Sequence, residues 1–119
     1  MSNRVEYLMV SNIPALGTRD MFKDADTGES DMRFITEDGM LTIAIVASAV
    51  GIVWSLQSQY RNITQSSTLE AGGTTGSFPN NREKGFAFPV YAGEKLRLSL
   101  RDTANVATTD VMAACAFDS

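Results

Sequence analysis

Apolar side chains along this chain recur with a period of two. From Lys95 to Arg101, Leu96, Leu98 and Leu100 alternate without a fault with Lys95, Arg97, Ser99 and Arg101. Successive side chains of a strand point to opposite faces, so this predicts a strand with its leucines inward and its cations outward. At the C-terminal end Val111, Ala113, Cys115 and Phe117 share one parity. Upstream, Phe86, Phe88 and Val90 fall opposite Ala87, Pro89 and Tyr91. Ala92-Gly93-Glu94 and Asp102-Thr103-Ala104-Asn105 supply turn chemistry between these strands. Arg33 to Thr36 is a further short strand candidate, leading into the turn signal Asp38-Gly39. Residues 57–68 are polar with Tyr60 and Ile63 at intervals and fit an edge strand running into a loop. Residues 69–85 hold four of the nine glycines, Pro79 and the pair Asn80-Asn81, and predict a long surface loop. No stretch shows a capped 3.6-residue period; Asp20 to Glu29 has room for a turn or two of helix at most.

One run admits two readings. Met40 to Leu56 (MLTIAIVASAVGIVWSL) is nearly all apolar, and no charge falls between Gly39 and Tyr60. Its length permits a membrane-spanning helix, which takes about 17 to 25 residues. Its chemistry favours strands: it is rich in Ile and Val and poor in Leu. Leu41, Ile43, Ile45 and Ala47 share one face, and Ile52, Trp54 and Leu56 resume the alternation after the small-residue break Ser48-Ala49-Val50-Gly51. No Lys or Arg flanks its N-terminal side to orient an inserted helix. Two buried strands forming a hairpin are expected, with a small membrane protein as the alternative.

Composition narrows the chemistry. The chain has 119 residues, 44% of them hydrophobic and 20% charged, which suits one packed domain. It contains no histidine and a single cysteine, Cys115. The commonest general base, His-containing triads, zinc clusters and intrachain disulfides are thereby excluded. An enzyme would have to work with carboxylates, Lys, Ser/Thr and Tyr alone, so no catalytic, cofactor or metal residue is assigned and the chain is read as a non-enzyme. A net charge of −4 argues against nucleic acid or an anionic membrane as partner. No signal-peptide pattern opens the sequence, and a lone thiol suits a protein made in a reducing cytoplasm.

The motifs that suggest chemistry have plainer readings. Asp24-Ala-Asp26-Thr-Gly28-Glu29 looks superficially like a calcium loop, but an EF-hand needs glycine at the sixth and Glu at the twelfth position. Counted from Asp24 the glycine comes one place early and Ile35 stands where the Glu should be, so a solvated acidic loop is expected. Gly72-Gly73-Thr74-Thr75-Gly76-Ser77 lacks the lysine of a phosphate cradle. Trp54 and the phenylalanines could stack on a sugar but sit at core parity. Cys115, in phase with Val111 and Phe117, reads as a small apolar core residue.

Charge is distributed unevenly. Residues 1–38 carry four basic and eight acidic groups; the remainder carries six of each. The whole imbalance lies in the first third, which suggests a segment with its own task. We therefore divide the chain into an N-terminal arm (1–36) and a β-sandwich domain (37–119). Within the arm, Val5, Tyr7, Leu8, Met9, Val10, Ile13 and Leu16 are the candidate contact residues, able to add a strand to a neighbour's sheet edge. The plainer alternative makes them the first strand of the same sandwich.

Gly85 to Phe117, together with Glu37 to Ser58, resembles small jelly-roll or sandwich proteins of tailed-phage virions. The shared features are strands with a small-residue break, a Phe-x-Phe-Pro-Val strand, an Ala-Gly-Glu turn and a leucine-alternating strand. The rhythm is similar to that of capsid decoration (cement) proteins and covers roughly the last 80 residues; it carries over no site residue. The resemblance implies a structural virion protein of a bacteriophage, made in the host cytoplasm and bound to the capsid surface. Its implied partners are the major capsid protein and further copies of itself, with a homotrimer favoured. Fold and function are thus expected to be an all-β antiparallel sandwich or jelly roll with an extended N-terminal arm, acting as a decoration protein. A receptor- or glycan-binding module of a phage fibre or spike is the alternative that shares the fold.

Overall fold

The computed structural model describes residues 3–64, 67–69, 71–74, 76–79, 85–105 and 108–119. Its strands are β1 (Asn3–Ile13), β2 (Thr18–Asp20), β3 (Gly39–Ala47), β4 (Ile52–Ser58), β5 (Ser67–Thr68), β6 (Phe86–Val90), β7 (Leu96–Asp102) and β8 (Thr109–Asp118). One helical turn, α1 (Met21–Asp24), and a 3₁₀ turn at Asp31–Arg33 stand between β2 and β3. The strands form two four-stranded antiparallel sheets, ordered β1-β8-β3-β6 (sheet A) and β2-β7-β4-β5 (sheet B). The chain is an all-β sandwich. Strands pair first with eighth, second with seventh, third with sixth and fourth with fifth, and the pairs alternate between the sheets.

The alternation read from the sequence holds where it was sharpest. Leu96, Leu98 and Leu100 of β7 are buried while Arg97 and Arg101 are exposed. On β8, Val111, Ala113, Cys115 and Phe117 face the core and are buried. The apolar run at 40–56 is two strands, as its parity predicts; among the described residues no helix is long and apolar enough to cross a membrane. The expected hairpin is corrected. β3 pairs with β8 and β6, whereas β4 pairs with β7 and β5, so the two strands never meet in a ladder. Each presents its apolar side to the other across the core, and the connection arches from sheet A to sheet B. Gly51 makes that arch possible: its φ is +97°, and a Cβ there would lie 2.2 Å from the Cβ of Ala104.

Segments on both sides of residue 36 contribute strands to both sheets. Residues 3–10 pair along β8 from Asp118 to Val111, so this segment is an integral strand of sheet A and not a separate arm. Leu8, Val10 and Ile13, with Met21, Phe22, Met32 and Ile35, belong to the same core as the rest of the chain. Arg4 of the same strand lays its guanidinium 5.6 Å from the centre of the buried Phe117 ring. The acidic bias that suggested independence lies on exposed residues such as Asp24, Asp26, Glu29 and Asp31. Surface charge carries no information about which neighbouring side chains point inward. Residues 33–36 form only an isolated bridge from Phe34 to Lys95, and the expected edge strand at 57–68 shrinks to β5 and a bridge from Gln57 to Asn62. The Asn80-Asn81 pair lies outside the described residues.

Carboxylates hold the loops. The side chain of Asp20 accepts from the main chain of Phe22 and Leu98, capping α1 and tying it to β7. Asp102, almost fully buried, accepts from the backbone N–H of Leu16 and of Ala104. Asp110 accepts from Asn12, at the irregularity where the β1–β8 register shifts, and Asp26 accepts from the N–H of Ser11. The buried Glu94 is gripped by Arg61, whose Nε and one terminal nitrogen reach its two oxygens at 3.0 and 2.8 Å. The same terminal nitrogen donates to the Pro89 carbonyl at 2.8 Å, so this pair ties the loop after β4 to the end of β6.

Two outcomes follow. Leu98→Asp places an unpaired carboxylate in the core and should cost about 3 kcal/mol or more, whereas Arg97→Gln on the exposed side should stay within about 0.5 kcal/mol; chemical denaturation of both variants checks this. Arg61 beside Glu94 holds that carboxyl below its ordinary value of 4.5 despite burial. Its contribution is therefore complete above pH 4.5 and lost as pH falls through the depressed folded value. Glu94→Gln should cost about 1–3 kcal/mol at pH 7, and the gap to the parent should close in denaturation curves taken progressively below pH 4.5.

Candidate interaction surface

The outward side of sheet A is unusual for a solvated sheet, since it lacks the polar half of the alternation. Register places Val5, Ala116, Thr42 and Ala87 in one cross-strand row, and Tyr7, Ala114 and Ala44 in the next. Met9, Met112 and Val46 form a third row, and Asp118, Met40 and Pro89 lie at the opposite end. Asp118 is the only charged residue among these positions. The alanines make the centre of the face flat and shallow.

Part of that face is already covered. Leu69 is buried, its N–H bonding to the Ile52 carbonyl, and the chain then crosses the outside of sheet A as a strap. The Gly73 N–H donates to the Ala47 carbonyl at 3.0 Å. A Cβ on Gly73 would come within about 3 Å of the Met112 Cε, the Ala47 oxygen and Val46 Cγ1, so a side chain there would have to push these neighbours back by a few tenths of an ångström. At the far edge the Phe78 ring packs on Tyr7 with centroids 5.4 Å apart. Met112, which lies against Gly73, is buried although it points away from the core, and so are Ala44 and Ala114 in the next row. The long loop expected at the surface is there, its described residues mostly exposed, and it touches the outside of sheet A at Gly73 and Phe78.

Beyond the strap the face is open. Val5 is 60% exposed, Tyr7 58%, Met40 42% and Phe78 40%, with Ala87 and Pro89 exposed beside them. A contiguous apolar patch of this kind is a recognised signature of an interaction site, whereas single exposed apolar residues are not. The candidate contact residues read from the sequence split across the sheet. Val5 and Tyr7 lie on the open patch, Met9 is half-buried at its rim, and Leu16 is exposed in the turn after β1. Leu8, Val10 and Ile13 are core residues and are unavailable to any partner. Parity within β1 separates the two sets, a distinction hidden in the sequence because both faces of this strand are apolar. Met40, Ala87, Pro89 and Phe78, brought to the patch by three other segments, were not among the candidate contact residues.

β1 is also an edge strand. The Met9 carbonyl accepts from the Asp26 N–H at 2.8 Å and the Ser11 N–H donates to the Asp26 side chain. That stretch of edge is therefore closed to a further strand. By the same alternation Val5 and Tyr7 direct their main-chain groups outward along the edge.

Two other regions have chemical character. At the opposite edge of sheet A, where the two-residue β5 leaves sheet B short, a cleft of about 440 Å³ opens between the sheets. Ile45, Trp54, Leu69, Phe86 and Phe88 line it, with Thr64, Ser67 and Thr68 at its side. Trp54 contacts Phe86 and Phe88 at centroid distances of 6.2 and 6.3 Å. Cys115 is fully buried, and burial pushes its thiol up to about 12, far from a nucleophile's range. Among the described residues no group of three or more Asp, Glu or Cys is placed to hold a metal ion. In the acidic loop Asp26 bonds Ser11 and Glu29 pairs with Arg33, so two of its carboxylates serve structure.

Comparison with known proteins yields no match: no family model, no curated protein and no solved structure matches the chain.

The strap can be tested directly. Gly73→Val should lift it from Met112 and Val46, uncovering those two side chains. The expected result is a clear rise in binding of a dye specific for exposed apolar surface, with the β-type circular dichroism spectrum retained.

Proposed function

We propose that the chain is a structural, non-enzymatic protein-binding module that docks through the outward face of sheet A, and that its partner is the shell of a tailed-phage virion. The observation that carries the docking surface is the open apolar patch formed by Val5, Tyr7, Met40, Ala87 and Pro89. The partner rests on the resemblance of residues 37–58 and 85–117 to decoration proteins. The strand pairing also supports it: pairs 1:8, 2:7, 3:6 and 4:5 alternating between two sheets are the pattern expected of a jelly roll, an architecture common among viral capsid and lectin domains. In this reading the protein is made in the host cytoplasm, assembles as a trimer and binds the outer surface of the major capsid protein. It bridges neighbouring subunits and adds buried area where the shell is weakest; specific interfaces bury about 1,200–2,000 Å².

A second reading is favoured by the aromatic cleft between the sheets. Phe86, Phe88 and Trp54, with the hydroxyl-bearing Thr64, Ser67 and Thr68 alongside, offer the mixed lining that a receptor glycan would use.

Purified protein should bind pre-formed shells that lack it. The double variant Val5→Asp/Met40→Asp should abolish that binding while its melting temperature stays within a few degrees of the parent's, since both residues are exposed. Shell binding that survives the double variant removes the sheet A patch from the function. If no shell binds, the glycan reading is tested next, by saccharide titration of the fluorescence of Trp54, the only tryptophan in the chain.

A further inference from the structure

We propose that the outward face of sheet B is a second binding surface, built to take a carboxylate-bearing segment of another protein. This inference does not rest on the capsid reading and concerns the opposite side of the sandwich.

Arg97 and Arg101 project outward from β7, and Lys95 precedes them in the same phase. Positions two apart on a strand are separated by about 6.6–6.8 Å, so the outward side of β7 is a row of cations broken only by Ser99. The flanking strands do little to neutralise it. Arg97 lies opposite Gln57, and Arg101 lies between Val53 and Thr18; Ser99 lies between Ser55 and Asp20. Asp20 is the one carboxylate in these rows, and its Oδ1 already accepts two main-chain N–H groups. Beside the row, a groove of about 490 Å³ brings in Arg19 and Lys23 together with Asp24, whose Oδ2 accepts from the Asp20 N–H at 3.0 Å. The ion pairs among the described residues are Arg33 with Glu29 and Arg61 with Glu94; Lys23, Lys95, Arg97 and Arg101 take part in none.

A chain of net charge −4 thus presents a face whose cations, among the described residues, form no ion pair; Asp20 feels the charge of Arg97, but one oxygen each of Asp20 and Asp24 is taken up by backbone donors. The charge complementarity specifies an anionic partner. The remaining chemistry specifies which kind. The outward positions Thr18, Val53, Ser55, Gln57, Arg97, Ser99 and Arg101 include no aromatic ring, and the exposed Phe34 opposite Lys95 is already stacked on by the Arg33 guanidinium, 5.2 Å from the ring centre, so the row offers no series of free rings on which successive bases could stack. Arginine forks in a row on a flat polar sheet match carboxylates spaced along an extended acidic segment, which they bind as planar, two-pronged acceptors.

Poly-L-glutamate is the probe, with heparin and duplex DNA of matched charge concentration beside it. The full chain should bind polyglutamate more tightly than either, and the affinity should fall as salt is raised. Lys95→Gln/Arg97→Gln/Arg101→Gln should weaken it at least about tenfold with the melting temperature unchanged, and Val5→Asp on the opposite face should leave it intact. Absence of polyglutamate binding at low salt overturns the proposal. So does preference for heparin or DNA, which would reassign the face to sulfated glycan or nucleic acid. Salt-sensitive self-association of the parent that competes with the probe would also overturn it, giving the face to a second copy of the chain.

Discussion

The ladder between β1 and β8 is the interaction on which the rest of the molecule depends. β8 is an inner strand of sheet A, flanked by β1 on one side and β3 on the other, and its inward residues form the floor of the core. Without β1 the core would lose Leu8, Val10 and Ile13, and β8 would become an exposed edge. Each buried aliphatic side chain of this size contributes about 1.5–3 kcal/mol, which is a large fraction of the net stability of a domain. The ladder joins the two ends of the chain, with Asn3 opposite Asp118 and Val10 opposite Val111. It can close only after nearly the whole sequence is present, a long-range pairing of the kind that slows folding. The same register sets Val5 beside Ala116 and Tyr7 beside Ala114, so one ladder builds the floor of the core and the outer patch.

The two outer faces of the sandwich differ because the chain uses its charges unequally. Asp20, Asp26, Asp102, Asp110 and Glu94 face main-chain donors at turns and strand ends, where a short carboxylate is the best available acceptor. The cations of β7 have no such employment and point to solvent. Net charge and surface field therefore disagree. The overall −4, which argues against anionic partners when taken alone, describes acids largely committed to loops, while the potential over sheet B is set by Lys95, Arg97 and Arg101.

Legibility followed contrast. β7 is leucine on one side and cation on the other, so parity identified both the strand and its faces. β8 and the β3–β4 run lack that contrast and were legible instead from β-branched and larger side chains recurring at one parity. β1 was not: Val5, Tyr7 and Met9 are as apolar as Leu8 and Val10, because the outward face of sheet A is itself apolar, and alternation vanishes when both sides want the same chemistry. β2 and β5 are too short to carry a period. The arch at Ser48–Gly51 was recognisable as a break, but parity says which way a side chain points and nothing about which strand lies beside it; a hairpin and a sheet-to-sheet arch leave the same trace. The interaction patch was legible only in part, since Met40, Ala87, Pro89 and Phe78 reach it through pairing and strap geometry that no local pattern encodes.

The pairing of Asn3 with Asp118 also has a topological consequence. Both ends of the domain leave from one corner of sheet A, adjacent strands about 4.8 Å apart. A linker of a few residues would close the chain into a circle without disturbing the ladder, and new ends could then be opened elsewhere, the exposed Gln59-Tyr60 turn being one such place. Anything fused to either end would be carried at that same corner.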